Sequence, residues 1–122
     1  MDLLQIDLFS GEGELYKMGA APTYVRKGGT VQRLSGASLP AGLGEGEDAG
    51  LDQYSLRLSP GDTVLMVSDG ICGTGDDGWL KEKLAGFDGA SPKDLARELL
   101  LQSPQGATDD RTALVIRLEK RV

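Results

Sequence analysis

The 122 residues predict an α+β fold with antiparallel sheet, on three observations. Short runs rich in Val, Leu, Ile and Tyr, separated by glycine-bearing turns, fill the chain as far as residue 67. Two helical patterns follow between 76 and 103. A last β-rich run at 112–118 comes after both helices, so the order is strands, helix pair, strand.

The elements follow in order. LLQIDLF and GELYKMG flank SGEG and read as a hairpin. PTYVRKGGTVQRLSG is a second hairpin, turning at Gly28-Gly29. SLPAGLGEGEDAG, with four glycines and three acids and no period of 2 or 3.6, reads as loop. YSLRLSPGDTVLMVSDG holds two strands joined by the turn Ser59-Pro60-Gly61-Asp62. Its second strand, TVLMV, is apolar on both faces, which predicts a central position in a sheet.

DDGWLKEKLAGF reads as a short amphipathic helix presenting Trp79, Leu80 and Leu84, with Asp76 or Asp77 as its cap. SPKDLARELLLQS places Ser91 at the N-cap, Pro92 in the first turn, Asp94 at the third helical position and Leu95 and Leu99 on one stripe. TALVIRL closes the chain as a strand. Trp79 and Phe87 are expected in the core, Cys72 as a small apolar residue, and Lys81 and Lys83 on a solvated face.

Composition narrows the chemistry. One domain is all this length supports. The net charge of −6, without a basic stripe, argues against nucleic acid as a partner. A single cysteine precludes an internal disulfide and suits a reducing, cytoplasmic setting. With no histidine, neither an imidazole ligand nor a Ser-His-Asp triad is available. No apolar run approaches the ~20 residues that span a bilayer, so no membrane contact is expected. Met1 leads directly into DLLQIDLF, which lacks a signal peptide's basic start. The chain begins inside a strand pattern, so a longer natural protein is expected.

The acids are the remaining chemical resource. Hard divalent cations prefer oxygen ligands, and a pair of them ~3.5–4 Å apart can clamp a phosphate and activate water. Asp69 directly follows TVLMV, and Asp109-Asp110 lie just ahead of TALVI. If these strands are antiparallel neighbours, the end of one lies beside the start of the other. Gly70 then allows a sharp turn. The same residues also suit solvated turns that hold no ligand, and spacing alone leaves both readings open.

The motifs MGAAPTYVRKGG, GASLPAGLG, LSPGDTVLMVSDGI and TDDRTALVIRL stand in this order at this spacing. Together they resemble the sporulation stage II protein E-like branch of the metal-dependent (type 2C) protein phosphatases, over nearly the whole chain. The resemblance implies a β-sandwich of two antiparallel sheets with helix pairs outside and a two-metal Mg²⁺ or Mn²⁺ centre at one edge. It implies hydrolysis of phosphoserine or phosphothreonine proteins by a metal-bound water, so that no side chain is itself the nucleophile. In this branch the substrate is a phosphorylated anti-anti-sigma regulator. Asp69 and Asp109 match the family's metal aspartates, Gly70 the turn glycine, and Asp110 a neighbouring group that hydrogen-bonds around the metal. Ala20-Pro22 and Ser38-Pro40 match loop motifs with a structural part. Arg111 stands where the family commonly has an apolar residue.

One departure is larger. The family's bridging aspartate belongs to an Asp-Gly-Met-Gly element on an early strand, and nothing here matches it. Residues 1–122 therefore read as the C-terminal portion of a phosphatase domain, incomplete and inactive alone. The alternative is a non-catalytic regulatory or interaction module derived from the same fold. Half a sandwich exposes sheet edges, which predicts homodimerisation or strand exchange.

Overall fold

A computed structural model describes residues 2–17, 21–35, 52–68, 71, 77–87, 91–102 and 111–119. Seven strands and two helices lie in these segments: β1 (Asp2–Ile6), β2 (Glu12–Lys17), β3 (Thr23–Lys27), β4 (Thr30–Leu34), β5 (Asp52–Arg57), β6 (Thr63–Val67), α1 (Gly78–Ala85), α2 (Pro92–Gln102) and β7 (Ala113–Arg117). They form a three-stranded sheet, β1-β2-β5, and a four-stranded sheet, β4-β3-β6-β7, with every pairing antiparallel. The expected α+β order of strands, two helices and a final strand is the observed one.

Two cores divide three layers. Leu15, Val25, Leu34, Leu58 and Val64 pack between the sheets, joined by Leu4, Ile6, Met66 and Ile116. Tyr24, Leu65, Ile71, Leu80, Leu84, Phe87, Leu95 and Leu99 pack the helices onto the outer face of the larger sheet. Strand β6 serves both, since Val64 and Leu65 point to opposite faces and both are fully buried. Its mostly apolar sequence suits this position between β3 and β7.

The helices start where capping chemistry places them. In α2 the Asp94 N–H donates to Ser91 Oγ at 3.2 Å, and Leu95 and Leu99 form the buried stripe. In α1, Leu80 and Leu84 are buried. Asp77 occupies the N-cap position, but its side chain makes no capping bond. Trp79 is partly buried against the helix-side core, and Lys81 and Lys83 are partly exposed.

The first hairpin departs from the sequence pattern. β1 ends at Ile6, and Leu8 and Phe9 are exposed in the turn instead of extending the strand. Asp7 is the cause: its Oδ1 accepts from the Phe9 N–H at 2.8 Å and its carbonyl from the Gly11 N–H at 2.8 Å. Gly11 then re-enters the sheet with φ of 77°, where a Cβ would lie 2.0 Å from the Leu58 carbonyl oxygen. The 59–62 turn is as expected, with Gly61 at φ 95° and the Ser59 N–H donating to Asp62 Oδ2 at 2.8 Å.

Candidate metal centre

The largest question the sequence poses is whether β6 and β7 are neighbours, and they are. Val64 faces Ile116 and Val67 faces Ala113 in an antiparallel register. Beyond the last pair, the Ser68 N–H donates to the Thr112 carbonyl at 3.0 Å, and the Thr112 N–H donates to Ser68 Oγ at 2.9 Å. The end of β6 and the start of β7 are thus closed onto each other by two hydrogen bonds. Asp69 and Gly70 follow Ser68 in sequence, and Asp109-Asp110 precede Arg111. These four positions lie outside the described residues, as do Ala20, the 38–50 segment, Cys72 and Asp76. Ile71, which is described, is fully buried and its N–H donates to the Ser68 carbonyl at 3.0 Å.

Two charged groups at this end escaped the sequence reading. Lys17 is fully buried at the end of β2, on the inward face that also carries Leu15. Its ammonium donates to Asp2 Oδ2 at 2.6 Å, to the Ala21 carbonyl at 2.7 Å and to Thr23 Oγ1 at 3.1 Å. Three partners satisfy all three donors, which is the condition for keeping a lysine charge out of water. Asp2 in turn lines a shallow cavity of about 270 Å³ with Met66, Val67, Ser68, Thr112 and Leu114. Its Oδ1 is buried and has no hydrogen-bond partner. The signal was present, because period-2 alternation in GELYK puts Lys17 inward. What the alternation lacks is any indication of the partner, 15 residues away on another strand.

A second network anchors the far end of the segment that leaves β6. Tyr24, fully buried on β3, donates its phenolic O–H to Asp77 Oδ2 at 2.6 Å. Arg33 Nε stands 3.5 Å from the same carboxylate and Lys81 Nζ 3.8 Å. The Tyr24 hydrogen bond, aided by the Lys81 and Arg33 charges, holds the Asp77 carboxyl below its usual range against the opposing effect of burial. This bond also explains why Asp77 caps α1 by position only.

Among the described residues no group of three or more acids or cysteines comes together as a ready cation cage. None of the described helices is long and apolar enough to cross a membrane. The cavity at the Ser68–Thr112 junction is lined by two hydroxyl side chains and one carboxylate, Asp2, among the apolar Met66, Val67 and Leu114, so a hard divalent cation there would need further acids.

Comparison with known proteins places this geometry. The family profile described as Stage II sporulation protein E (SpoIIE) matches residues 1–119. Stage II sporulation protein E of Bacillus subtilis (strain 168) is 30% identical over 98% of this chain, which spans 15% of that protein. Its counterpart in Priestia megaterium is 26% identical over 98% of this chain and 22% of that protein. The manganese-presoaked phosphatase domain of the cell fate determinant SpoIIE from Bacillus subtilis superposes with a TM-score of 0.80 at 27% identity, covering 100% of this chain and 57% of that one. The same domain, in a crystal form without domain swapping, gives a TM-score of 0.74 at 27% identity over 99% of this chain and 56% of that one. The chain therefore spans a small part of the curated relatives and rather more than half of the solved domain.

Proposed function

The chain belongs to the SpoIIE family and has the fold of its type 2C phosphatase domains, and on that premise we propose that it carries part of a metal-dependent phosphoprotein phosphatase site. The observation that carries the reading is the Ser68–Thr112 junction, which joins the strand ends flanking the two motif aspartates. Asp69 and Asp109 would hold Mn²⁺ or Mg²⁺, with Gly70 and Asp110 shaping the turn and hydrogen-bonding around them. Carboxylate oxygens are the donors such an ion prefers, and the sequence has acids at these positions and no histidine. When bound, the ions supply charge neutralisation at a phosphate and activation of water.

The chain's own residues supply the frame. β6 is buried on both faces at Thr63, Val64 and Leu65, and the paired Ser68 and Thr112 close its end onto the start of β7. Ile71 is bonded to Ser68 through its backbone N–H, and Asp77 is held by the Tyr24 hydroxyl. The proposed substrate is a phosphoserine or phosphothreonine protein of the anti-anti-sigma kind, met in the cytoplasm. Support for that substrate class is family membership alone. Because the chain spans 57% of the solved SpoIIE domain, the proposal includes that residues 1–122 by themselves are inactive.

The test is phosphate release from a phosphorylated anti-anti-sigma protein by the natural full-length protein with Mn²⁺. Asp69→Asn and Asp109→Asn are each expected to abolish release. Undiminished release from either variant overturns the assignment of that residue. Release by the 122-residue chain alone overturns its proposed incompleteness.

A further inference from the structure

The end of the sandwich away from the Ser68–Thr112 junction carries an apolar surface that the phosphatase reading leaves without a task. There Leu8 and Phe9 stand 81% and 99% exposed in the turn between β1 and β2. The turn is internally bonded: Asp7 Oδ1 accepts from the Phe9 N–H at 2.8 Å, and the Asp7 carbonyl from the Gly11 N–H at 2.8 Å. The Gly11 carbonyl accepts from the Leu58 N–H at 2.8 Å, which fixes the turn to the chain after β5. The backbone under Phe9 is thus already ordered, and burying the ring costs little more of it. Beside the turn lies a groove of about 640 Å³, with Leu58, Pro60 and Leu118 along its other wall. Arg117 and Glu119 line the same groove and are paired with each other.

We infer that this surface pairs two copies of the chain, Leu8 and Phe9 of each seated in the groove of the other. One patch holds both an apolar projection and a groove with room for it, which is what a two-fold contact of a surface with itself requires. The groove carries one positive and one negative charge, so each copy's Arg117 can face the other's Glu119, in a chain whose net charge of −6 otherwise repels a copy. A lipid surface fits less well, because Asp7 and Glu12 flank the turn and anionic headgroups would oppose them. A phenylalanine buries about 150–250 Å². Two such insertions, with Leu8 and the groove walls, come to about 1,000–1,300 Å², the lower limit for a specific pair. The contact is therefore reversible, and it is independent of the metal reading and of the sheet edges.

The experiment is sedimentation equilibrium of the 122-residue chain carrying Leu3→Lys and Leu114→Lys, which charge the outer strands and remove association through them. Concentrations run from about 10 µM to about 500 µM, across the Kd of about 100 µM expected for a contact of this size. A monomer–dimer equilibrium is expected, which Phe9→Ser, Leu8→Ser and Glu119→Arg each weaken at least tenfold. Leu8 and Phe9 are exposed, so their replacement is expected to leave the melting temperature unchanged. In the otherwise unaltered chain, Phe9→Ser is expected to halve the largest species at the same concentrations, so the test stands even if the charged edges impair folding. A chain that stays monomeric throughout overturns the inference. So does association that Phe9→Ser or Glu119→Arg leaves within twofold of its parent. Flotation with phosphatidylcholine vesicles in place of dimerisation, lost in Phe9→Ser, assigns the surface to lipid and overturns the inference equally.

Discussion

Tyr24 and Asp77, 53 residues apart, are joined by a 2.6 Å hydrogen bond from a fully buried phenol to a carboxylate that also faces Arg33 and Lys81. It ties the start of α1 to β3. Tyr24→Phe removes the donor and leaves the carboxylate half-desolvated, with an expected cost of about 1.5–3 kcal/mol for a hydrogen bond to a charged group. Urea denaturation of the variant against wild type measures it. A change under 0.5 kcal/mol would show that water replaces the phenol without penalty.

The same bond sets a pH dependence. The Tyr24 hydrogen bond holds the Asp77 carboxyl below its ordinary range in the folded protein, so the folded state favours its charged form. A depressed carboxylate pKa stabilises the fold above the unfolded value, and the contribution is lost as pH falls through the folded value. Asp77→Asn is therefore expected to lower the melting midpoint at neutral pH while flattening its decline from about pH 4.5 downward. Thermal melts from pH 7 to pH 2.5 decide it; parallel acid limbs in the two proteins would refute the assignment.

Strand β6 is expected to be the least tolerant element of the core. Leu65, fully buried under the helices, should cost about 2–5 kcal/mol on replacement by alanine. Leu114, half exposed on β7, should cost less than about 1 kcal/mol. Chemical denaturation of the two single variants gives the comparison, and equal losses would contradict the layered core.

Two glycines with similar φ should respond differently to alanine. Gly28, at φ 62° with nothing within 4 Å of a built Cβ, pays only the left-handed strain of about 1–2 kcal/mol. Gly11, at φ 77°, also drives a methyl to 2.0 Å from the Leu58 carbonyl and must break the contact that seats the first hairpin on the segment after β5. Gly11→Ala is expected to be the more destabilising in thermal melts, and the reverse order would mean that this hairpin moves freely.

The outer strands of the two sheets, β1 and β7, expose Leu3 and Leu114, and apolar edges favour association of copies through added strands. Sedimentation of the 122-residue chain is expected to show dimers that Leu3→Lys and Leu114→Lys convert to monomers at unchanged melting temperature. A monomeric wild type would remove this expectation.

Much of this architecture was legible along the chain. Every described strand and both helices overlap the runs read as strand or helix. Ser91, Pro92 and Asp94 announced the start of α2, and TVLMV announced a strand buried on both faces. The end of β1 was misjudged by three residues because Leu8 and Phe9 look like strand. The local bonds of Asp7 outweigh that propensity. At the candidate site the motifs marked Asp69 and Asp109 without marking Asp2 or Lys17. A motif is a local pattern, and an ion pair between residues 15 apart on adjacent strands leaves none.

By itself, then, the sequence determined the order of elements, the faces they bury and the chemistry available, an oxygen-rich inventory with no imidazole. These follow from backbone geometry and side-chain polarity within a few residues. Tertiary structure alone decided that β6 and β7 close on each other at Ser68 and Thr112, that Tyr24 holds Asp77, and that a buried Lys17 finds Asp2, Ala21 and Thr23 as partners. The reason is that the desolvation of a charge depends on what surrounds it in space, and those neighbours come from strands that only folding brings together.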